Sequence, residues 1–410
     1  MNCRFCNTEL SHELVDLGFS PPSNSFLTGK MLNQPEVYYP LRIMVCANCF
    51  LVQIDEFAKH DDIFSSDYIY FSSYSKSWLV HCEDYVHMIC AQLELNSNST
   101  VIEIASNDGY LLQYFKQKGI GILGIEPTAN TAQIAIDKGI PTLVEFFGLQ
   151  CANRLESNSI KADLLIGNNV LAHVPDINDF VSGLKILLAN NGVVTMEFPH
   201  LLQLIDKIQF DTIYHEHFSY LSLMVVKRIF EHHGLTIFNV EEIQTHGGSL
   251  RIYATHTDNA SLSIHKSVEN LIKKEINFGL NRIESNKNFQ IAVNKVKNDF
   301  VSFLIEQKGL DKKVAAYGAA AKGNTLLNYC GVRKDLINFI SDASPHKQNK
   351  FIPGMHIPVI SEEKIKEEKP DFVVILPWNL KDEISEQLAY INSWGGQFVV
   401  AIPEIQIFSA

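Results

Sequence analysis

The feature that most constrains the fold is an apolar segment, Val101–Ala105, that leads into a small polar turn and then a helical pattern. The turn reads Ser106-Asn107-Asp108-Gly109, and the next apolar segment, Gly121–Ile125, ends in the acid Glu126. A strand, a tight turn and a helix, followed by a strand that ends in a carboxylate, are typical of a nucleoside-binding α/β unit.

The turn also indicates the kind of cofactor. It lacks G-x-G-x-x-G, so a pyrophosphate has no cradle, which favours S-adenosylmethionine over NAD. Carboxylates suit a ligand with a positive sulfonium, and the acid at the second strand end can accept both ribose hydroxyls. An ordinary βα turn without a ligand is the alternative. The candidate cofactor-binding residues are Glu103, Ser106, Asn107, Asp108, Gly109, Glu126, Pro127, Asn168 and Asn169.

Size and charge narrow the class further. A chain of 410 residues is expected to form two or three domains. The net charge of −12 and the lack of a basic run disfavour nucleic acid as a partner. No apolar stretch approaches the roughly 18 residues of a membrane span, and no apolar signal region follows Met1. We therefore expect a cytoplasmic protein that binds neither nucleic acid nor membrane.

Four of the eight cysteines form two C-x-x-C pairs, Cys3/Cys6 and Cys46/Cys49. This spacing predicts four thiolates on one tetrahedral Zn²⁺, although a redox pair is the alternative reading. Four protein sulfurs leave no open coordination position, so the zinc should be structural. The other cysteines are scattered and are predicted to be core residues.

Strand–helix alternation predicts an α/β fold in three parts joined by a connector. The predicted boundaries are a zinc-binding module at 1–60, a class I (Rossmann-like) methyltransferase domain at 61–260, a helical connector at 261–308 and a second Rossmann-like α/β domain at 309–410. Two strands near Thr236–Glu242 and Ser249–His256 should form a hairpin that ends the central, otherwise parallel sheet. A helix is predicted from about Ser77 to Leu93.

A cluster of titratable residues follows the fifth predicted strand, in the segment Tyr214-His215-Glu216-His217. Neither strand nor helix geometry converges all three charged side chains on one ion, so a metal site is disfavoured. A surface location is one alternative, and a general base with partners is the sharper interpretation. His215 and His217 exchange roles if the local backbone is strand-like.

Two further segments, 314–325 and 246–251, are candidates for substrate binding, and the polar flanks of the second can reach the active site. Val314–Thr325 reads as a strand, a small-residue turn with Lys322 and a helix, which suits a diphosphate. The alternative for the turn in 314–325 is that its small residues serve helix packing alone. The alternative for Gly247-Gly248 is that the two glycines only form a tight turn. The candidate substrate-binding residues are Glu197, His200, His246, Ser249, Arg251, Lys322, Asn324 and Lys347.

Taken together, these motifs resemble the sugar C-methyltransferases that install methyl branches on nucleotide-linked 4-keto-deoxysugars, as in mycarose-type sugars. The resemblance spans the chain and rests on the two C-x-x-C pairs and on seven segments. Those segments are 71–75 (FSSYS), 103–109 (EIASNDG), 169–176 (NVLAHVPD), 197–200 (EFPH), 214–217 (YHEH), 246–251 (HGGSLR) and 317–324 (YGAAAKGN).

The resemblance implies an enzyme that ionises a carbon next to a ketone and methylates it, most often at C-3. It implies S-adenosylmethionine and one structural Zn²⁺, and a dTDP- or GDP-linked keto-deoxysugar as the partner. His217 is the implied base; Tyr214 and Glu216 position it or the sugar, His173 lies near the keto group, and Tyr68 and Tyr74 close over the reacting centre. A monomer or small homo-oligomer is expected.

Three other functions remain as alternatives. The first is a small-molecule O- or N-methyltransferase, which needs neither zinc nor a second Rossmann-like domain. The second is a zinc-containing binding or assembly protein whose methyltransferase fold is vestigial. The third is an NAD-dependent enzyme that uses the turn at 318–323.

Overall fold

The structure is a computed structural model that describes residues 1–55, 57, 71–259 and 263–409. Its N-terminal part is a small antiparallel sheet preceded and interrupted by the cysteine-containing turns. The strands of this part are β1 (His12–Ser20), β2 (Tyr39–Val45) and β3 (Val52–Ile54).

The central part is a seven-stranded sheet with helices on both faces. Its strands are β4 (Thr100–Ile104), β5 (Gly121–Ile125), β6 (Thr142–Leu143), β7 (Ala162–Asn168), β8 (Leu188–Pro199), β10 (Leu235–Ile243) and β11 (Ser249–His256), with β9 (Ser219–Tyr220) outside this sheet. The helices are α1 (Lys76–Gln92), α2 (Leu112–Gln117), α3 (Ala129–Asp137), α4 (Leu149–Ser157), α5 (Ile177–Leu187), α6 (Leu201–Asp206) and α7 (Leu223–His232).

The strand order of the central sheet is β10-β11-β8-β7-β4-β5-β6. Strands β4 to β8 pair in parallel, whereas β11 is antiparallel to both β8 and β10. The predicted hairpin at the end of a parallel sheet is confirmed. The strands β4 and β7 are almost continuously buried, as expected for a sheet covered on both faces.

A helix pair and a second sheet complete the chain. The helices are α8 (Lys266–Phe278) and α9 (Phe289–Gly309), then α10 (Ala321–Cys330), α11 (Glu363–Glu368) and α12 (Lys381–Gln387). The strands are β12 (Val314–Tyr317), β13 (Ile340–Ser341), β14 (Lys350–Phe351), β15 (Pro358–Ile360), β16 (Phe372–Ile375), β17 (Gln397–Val400) and β18 (Gln406–Phe408). Parallel pairing of β15, β13, β12, β16 and β17 makes this a second Rossmann-like sheet.

The sequence pattern missed α4 because only three of its residues, Cys151, Ala152 and Leu155, are buried apolar positions. It also missed α6 and α7, which lie in the segment interpreted only for its chemistry. In the segment 336–341 the sequence predicts a strand, and the structure has a strand only at its last two residues, β13. Within the described part of the chain, no helix combines the length and apolarity needed to cross a bilayer.

Candidate active site

The four predicted zinc ligands lie together. The sulfurs of Cys3, Cys6, Cys46 and Cys49 all lie within 4.8 Å of one another. Four Zn–S bonds of about 2.3 Å require a tetrahedron with edges of roughly 3.8 Å, so this cluster fits a structural Zn²⁺. Each pair sits in the same kind of turn, in which Asn7 N donates to Cys3 O and Phe50 N donates to Cys46 O, both at 2.9 Å.

The zinc module is joined directly to the histidine segment. Strand β9 begins two residues after His217 and pairs antiparallel with β3, which extends the module's sheet to four strands. Arg4, between the first two zinc ligands, donates to Pro175 O at 2.6 Å and its guanidinium lies 5.4 Å from the Phe218 ring centroid. The module therefore contacts the backbone just after His217 and just after His173.

The predicted cofactor turn follows β4 with an unusual backbone. Ala105, Asn107 and Gly109 all have positive φ, at 54°, 48° and 77°. Such a turn brings backbone N–H groups towards the strand ends. Glu126, at the end of β5, accepts a hydrogen bond from Asn107 N at 2.9 Å, so the acid and the turn lie in direct contact.

Several buried polar atoms at this edge have no hydrogen-bond partner among the described residues. They are Ser106 Oγ, Asp108 Oδ1 and both amide atoms of Asn168. Burial raises the pKa of the fully buried Glu103 carboxyl, against the nearby Tyr110 hydroxyl, which lowers it. Buried polar groups ordinarily have partners, so these atoms fit a polar ligand such as S-adenosylmethionine.

The segment before α1 covers the cofactor turn. Ser72 N donates to Asn107 Oδ1 at 2.9 Å, and Ser73 Oγ donates to Asp108. Trp78 lies 6.0 Å from the Tyr110 ring and 5.4 Å from the His246 ring. The resemblance motif at 71–75 therefore lies next to the cofactor turn.

His217 lies at the centre of the histidine cluster. Its Nδ1 lies 2.8 Å from Thr212 O. A carbonyl only accepts, so Nδ1 carries the proton and Nε2 is the basic nitrogen. The His173 ring lies 4.6 Å and the Tyr214 ring 4.0 Å from the His217 ring, between centroids. The predicted residues His217, His173 and Tyr214 are thus brought together.

Burial keeps these histidines neutral. It lowers the pKa of His173 to about 4, against a hydrogen bond to the Glu216 backbone, and it lowers the pKa of His217 well below its usual value. The pKa of His246 is lowered to about 4 by burial and by the nearby Lys322 charge. His246 Nε2 lies 3.1 Å from Asn169 Nδ2, which connects this cluster with the end of β7.

The two residues between Tyr214 and His217 face the zinc module instead. His215 Nε2 lies 3.1 Å from Pro40 O. Glu216 accepts a hydrogen bond from Asn24 Nδ2 at 2.7 Å. Burial raises the pKa of the Glu216 carboxyl to about 7, although the Asn24 amide lowers it. The local backbone is a turn, and this turn separates the directions of His215 and His217.

Lys322 reaches the cluster from the C-terminal sheet. Its Nζ donates to Asn379 Oδ1 at 2.6 Å and lies 4.8 Å from the Trp378 ring centroid. Burial lowers the pKa of Lys322, and the carboxylate of Asp211 opposes this effect. Asn324 instead donates to Ser23 O at 3.2 Å, so it joins α10 to the zinc module.

Lys347 lies at the mouth of the second Rossmann-like turn, with Nζ 2.9 Å from Ala319 O. Beside it, Asp342 follows β13 and accepts a hydrogen bond from Ala319 N at 2.7 Å. Asp342 therefore has the same position relative to its turn as Glu126 has relative to the cofactor turn: each acid follows a strand and accepts a hydrogen bond from a backbone N–H of the turn.

The remaining candidates for substrate binding mostly contact other side chains. Arg251 Nε donates to Glu197 Oε1 at 2.8 Å, and His81 Nε2 lies 2.9 Å from Glu197 Oε2. His200 Nε2 lies 2.8 Å from Glu275 Oε1, and both side chains are buried.

Ser249 donates to Thr245 O at 2.9 Å. Tyr74 is 56% exposed, with its hydroxyl 3.4 Å from His346 Nε2. Tyr68 lies outside the described residues.

Sequence reasoning did not single out Trp78, Asp211 or Trp378, although all three adjoin the cluster. Trp378 is one of only three tryptophans in the chain and follows the apolar segment 372–376, which has the pattern of a strand. Those two signals together could have identified it. Asp211 carries no comparable signal.

The sheet order, with its antiparallel hairpin, and the polar turn beside Glu126 define an S-adenosylmethionine-dependent methyltransferase. The methyltransferase domain family matches residues 81–240, a zinc binding domain family matches residues 3–64, and the family described as C-methyltransferase C-terminal domain matches residues 244–403. The chain is 32% identical over 408 residues to C-methyltransferase NovU of Streptomyces niveus, covering 100% of this chain and 97% of that protein. The chain belongs to this C-methyltransferase family.

Two solved structures that resemble the chain each cover less than half of it. The magnesium protoporphyrin IX methyltransferase of Synechocystis PCC 6803 with bound SAH is 16% identical, with a TM-score of 0.35, and covers 43% of this chain and 83% of its own. PH0226 protein of Pyrococcus horikoshii OT3 is 12% identical, with a TM-score of 0.37, and covers 49% of this chain and 99% of its own.

Proposed function

We propose that the enzyme methylates a carbon next to the ketone of a nucleotide-linked 4-keto-deoxysugar, with C-3 as the acceptor position. The observation that carries the proposal is the buried His217 imidazole, whose tautomer is set by Thr212 O at 2.8 Å. A neutral, oriented imidazole at neutral pH is suited to remove a weakly acidic carbon-bound proton. The motif resemblance to sugar C-methyltransferases supports the sugar substrate.

The other residues of the cluster have complementary roles in this proposal. His217 Nε2 takes the proton, and the Lys322 ammonium, which acts electrostatically on His217, offsets negative charge that develops on the keto oxygen. Tyr214 and His173 pack against the base and fix its plane. Burial of the site excludes water from the reacting carbon.

The cofactor edge is adjacent to this cluster. Asn169 and His173 both follow β7, so the strand end that carries Asn168 also leads to the base. Glu126, Asn107 and Asn168 are proposed to hold S-adenosylmethionine. When bound, S-adenosylmethionine supplies an electrophilic methyl group for attack by the ionised carbon. Fixing donor and acceptor in one cleft supplies much of the rate.

Product analysis tests this function. Purified enzyme is incubated with [methyl-¹³C]S-adenosylmethionine and a panel of dTDP-, GDP- and UDP-linked 4-keto-6-deoxysugars. We expect one sugar nucleotide to gain a single methylene mass, with a ¹³C shift typical of a methyl group on carbon. A methoxy shift would support an O-methyltransferase, and no labelled sugar nucleotide would contradict the proposal.

A further inference from the structure

A short turn contacts both the proposed base, His217, and the C-terminal part of the chain. This turn, residues 209–213, is called the anchor turn here, and its middle is the 3-10 helix Phe210–Thr212. Gln209, Phe210, Asp211 and Ile213 are each at most 3% exposed. Because Thr212 O sets the His217 tautomer, any shift of the anchor turn moves the base.

The C-terminal part contacts the anchor turn in three places. Trp378 Nε1 donates to Asp211 Oδ2 at 2.8 Å. Thr325 Oγ1 donates to Ile213 O at 2.8 Å, and the Tyr329 ring lies 5.4 Å from the Phe210 ring. Of these contacts, only the Trp378 contact satisfies a charged group, and Asp211 is fully buried. The Lys322 charge and backbone N–H groups also stabilise the Asp211 carboxylate, but the Trp378 N–H is the side-chain donor that joins it to the C-terminal part. Removing a hydrogen bond from a buried carboxylate is unfavourable, so this contact has leverage on the anchor turn.

Trp378 is itself fixed on a second side. Gly247 has a φ of +91°, and a Cβ added there would lie 2.3 Å from the Trp378 ring. Gln209 Nε2 donates to Gly247 O at 2.9 Å. The hairpin, the indole and the anchor turn therefore each contact the other two. The indole therefore has little freedom to leave Asp211.

We propose that Trp378 is a positioning residue through which the C-terminal part fixes the anchor turn, and hence the imidazole of His217. This proposal rests on the proposed function for the role of His217 as the base. It gives the second Rossmann-like sheet a part in the proton-transfer step, separate from any contact with the sugar nucleotide.

The test uses Trp378→Phe, which keeps one aromatic ring but removes the indole N–H together with part of the ring system that packs on Gly247. Trp394→Phe is the matched control, since Trp394 Nε1 donates to Pro370 O at 3.0 Å away from the anchor turn. We expect kcat for methyl transfer to fall about tenfold to hundredfold in Trp378→Phe, with KM and S-adenosylmethionine affinity unchanged. Asp211→Ala should have a similar effect, and the double variant should be no slower than the slower single variant.

A spectroscopic readout keeps the test independent of the reaction. In ¹⁵N-histidine-labelled protein, with His217→Asn used for assignment, the wild type should show His217 protonated at Nδ1. Trp378→Phe should show a mixed tautomer, and Trp394→Phe should match the wild type. If the wild type methylates no keto-sugar, the proposed function fails. The spectra still test whether Trp378 fixes the anchor turn and the His217 imidazole.

Two results would overturn the proposal. One is a Trp378→Phe enzyme with the kcat and His217 spectrum of Trp394→Phe. The other is a raised KM with unchanged kcat, which would make Trp378 a substrate contact.

Discussion

At the residue scale, the candidate site is built from polar groups held in unusual charge states by burial. His217 and His173 are neutral because the surrounding protein excludes water, and each has a partner that fixes the ring. In Glu216, the residue before the proposed base, burial raises the pKa and so favours the protonated carboxyl. Within this turn, Glu216 points towards the zinc module and His217 points towards Thr212, so the structural acid and the proposed base face different surroundings.

Glu216 predicts a specific dependence of stability on pH. Its pKa is raised to about 7 by burial, so between its unfolded value of 4.5 and about 7 the native state binds more protons than the unfolded state. Stability from this group is complete below pH 4.5 and is lost as the pH rises through 7, by about 3 kcal/mol. Glu216→Gln should remove this loss, so the Tm difference between variant and wild type should grow from pH 5 to 8. A Tm difference that does not change with pH would contradict the assignment.

Glu126, which follows β5 of the central sheet, and Asp342, which follows β13 of the C-terminal sheet, offer a matched comparison. Glu126 contacts the cofactor turn, and Asp342 contacts the corresponding turn of the C-terminal sheet. Glu126→Gln should weaken S-adenosylmethionine binding about tenfold to hundredfold, because hydrogen bonds to a charged acceptor are lost. Asp342→Asn should leave that affinity unchanged in calorimetry. Equal losses in both variants would argue against the proposed adenosine site.

At the element scale, the two-residue strand β9 connects the zinc module to the segment that carries His217, the proposed base. Tyr220 pairs with Val52, and Ile54 N donates to Phe218 O at 3.1 Å, one residue after His217. The module therefore shapes the active site without offering the metal an open coordination position.

Zinc removal should consequently slow methyl transfer while sparing cofactor binding. Small zinc modules unfold without their metal, and β9 would then lose its partner strand. Cys49→Ser, or chelation of the wild type, should lower kcat by about tenfold or more. S-adenosylmethionine affinity should change less than about threefold, since the cofactor turn lies on β4 and β5. Cys90→Ser is the control thiol variant. Full activity in demonstrably zinc-free protein would contradict this role for the module.

Sequence patterns predicted the parts of the site that are local in the chain. The C-x-x-C spacing predicted the metal cluster, because two ligands of each pair share one turn. Strand ends predicted Glu126 and Asn168, because parallel strands present their carboxyl ends at one edge of the sheet. His200 illustrates the limit: it follows a strand end, yet its imidazole binds Glu275, 75 residues away.

At the scale of the whole molecule, the decisive contacts are those that no local pattern predicts. Asp211 and Trp378 are 167 residues apart and meet only because the second Rossmann-like sheet docks on the histidine cluster. Strand β9 is too short to carry a periodic signal, so its pairing with the zinc module was not predicted. All three parts of the chain thus converge on the segment from Gln209 to Tyr220.

This convergence explains why a methyltransferase would carry two additional parts. The zinc module supports the backbone after His217, the C-terminal part supports the anchor turn before it, and the central sheet supplies the cofactor turn. In the proposed reaction a base must be held next to both donor and acceptor, and each part contacts a segment proposed to hold one of them.

The most direct test of the account follows proton exchange at the acceptor carbon in D₂O, with S-adenosylhomocysteine present so that no methyl transfer occurs. The wild type should exchange the proton next to the ketone of its sugar nucleotide. His215→Asn, whose side chain faces the zinc module, should retain that exchange within a few-fold. His217→Asn should slow it by about a hundredfold or more. Exchange at the wild-type rate in folded His217→Asn would contradict the central claim that this buried imidazole is the base.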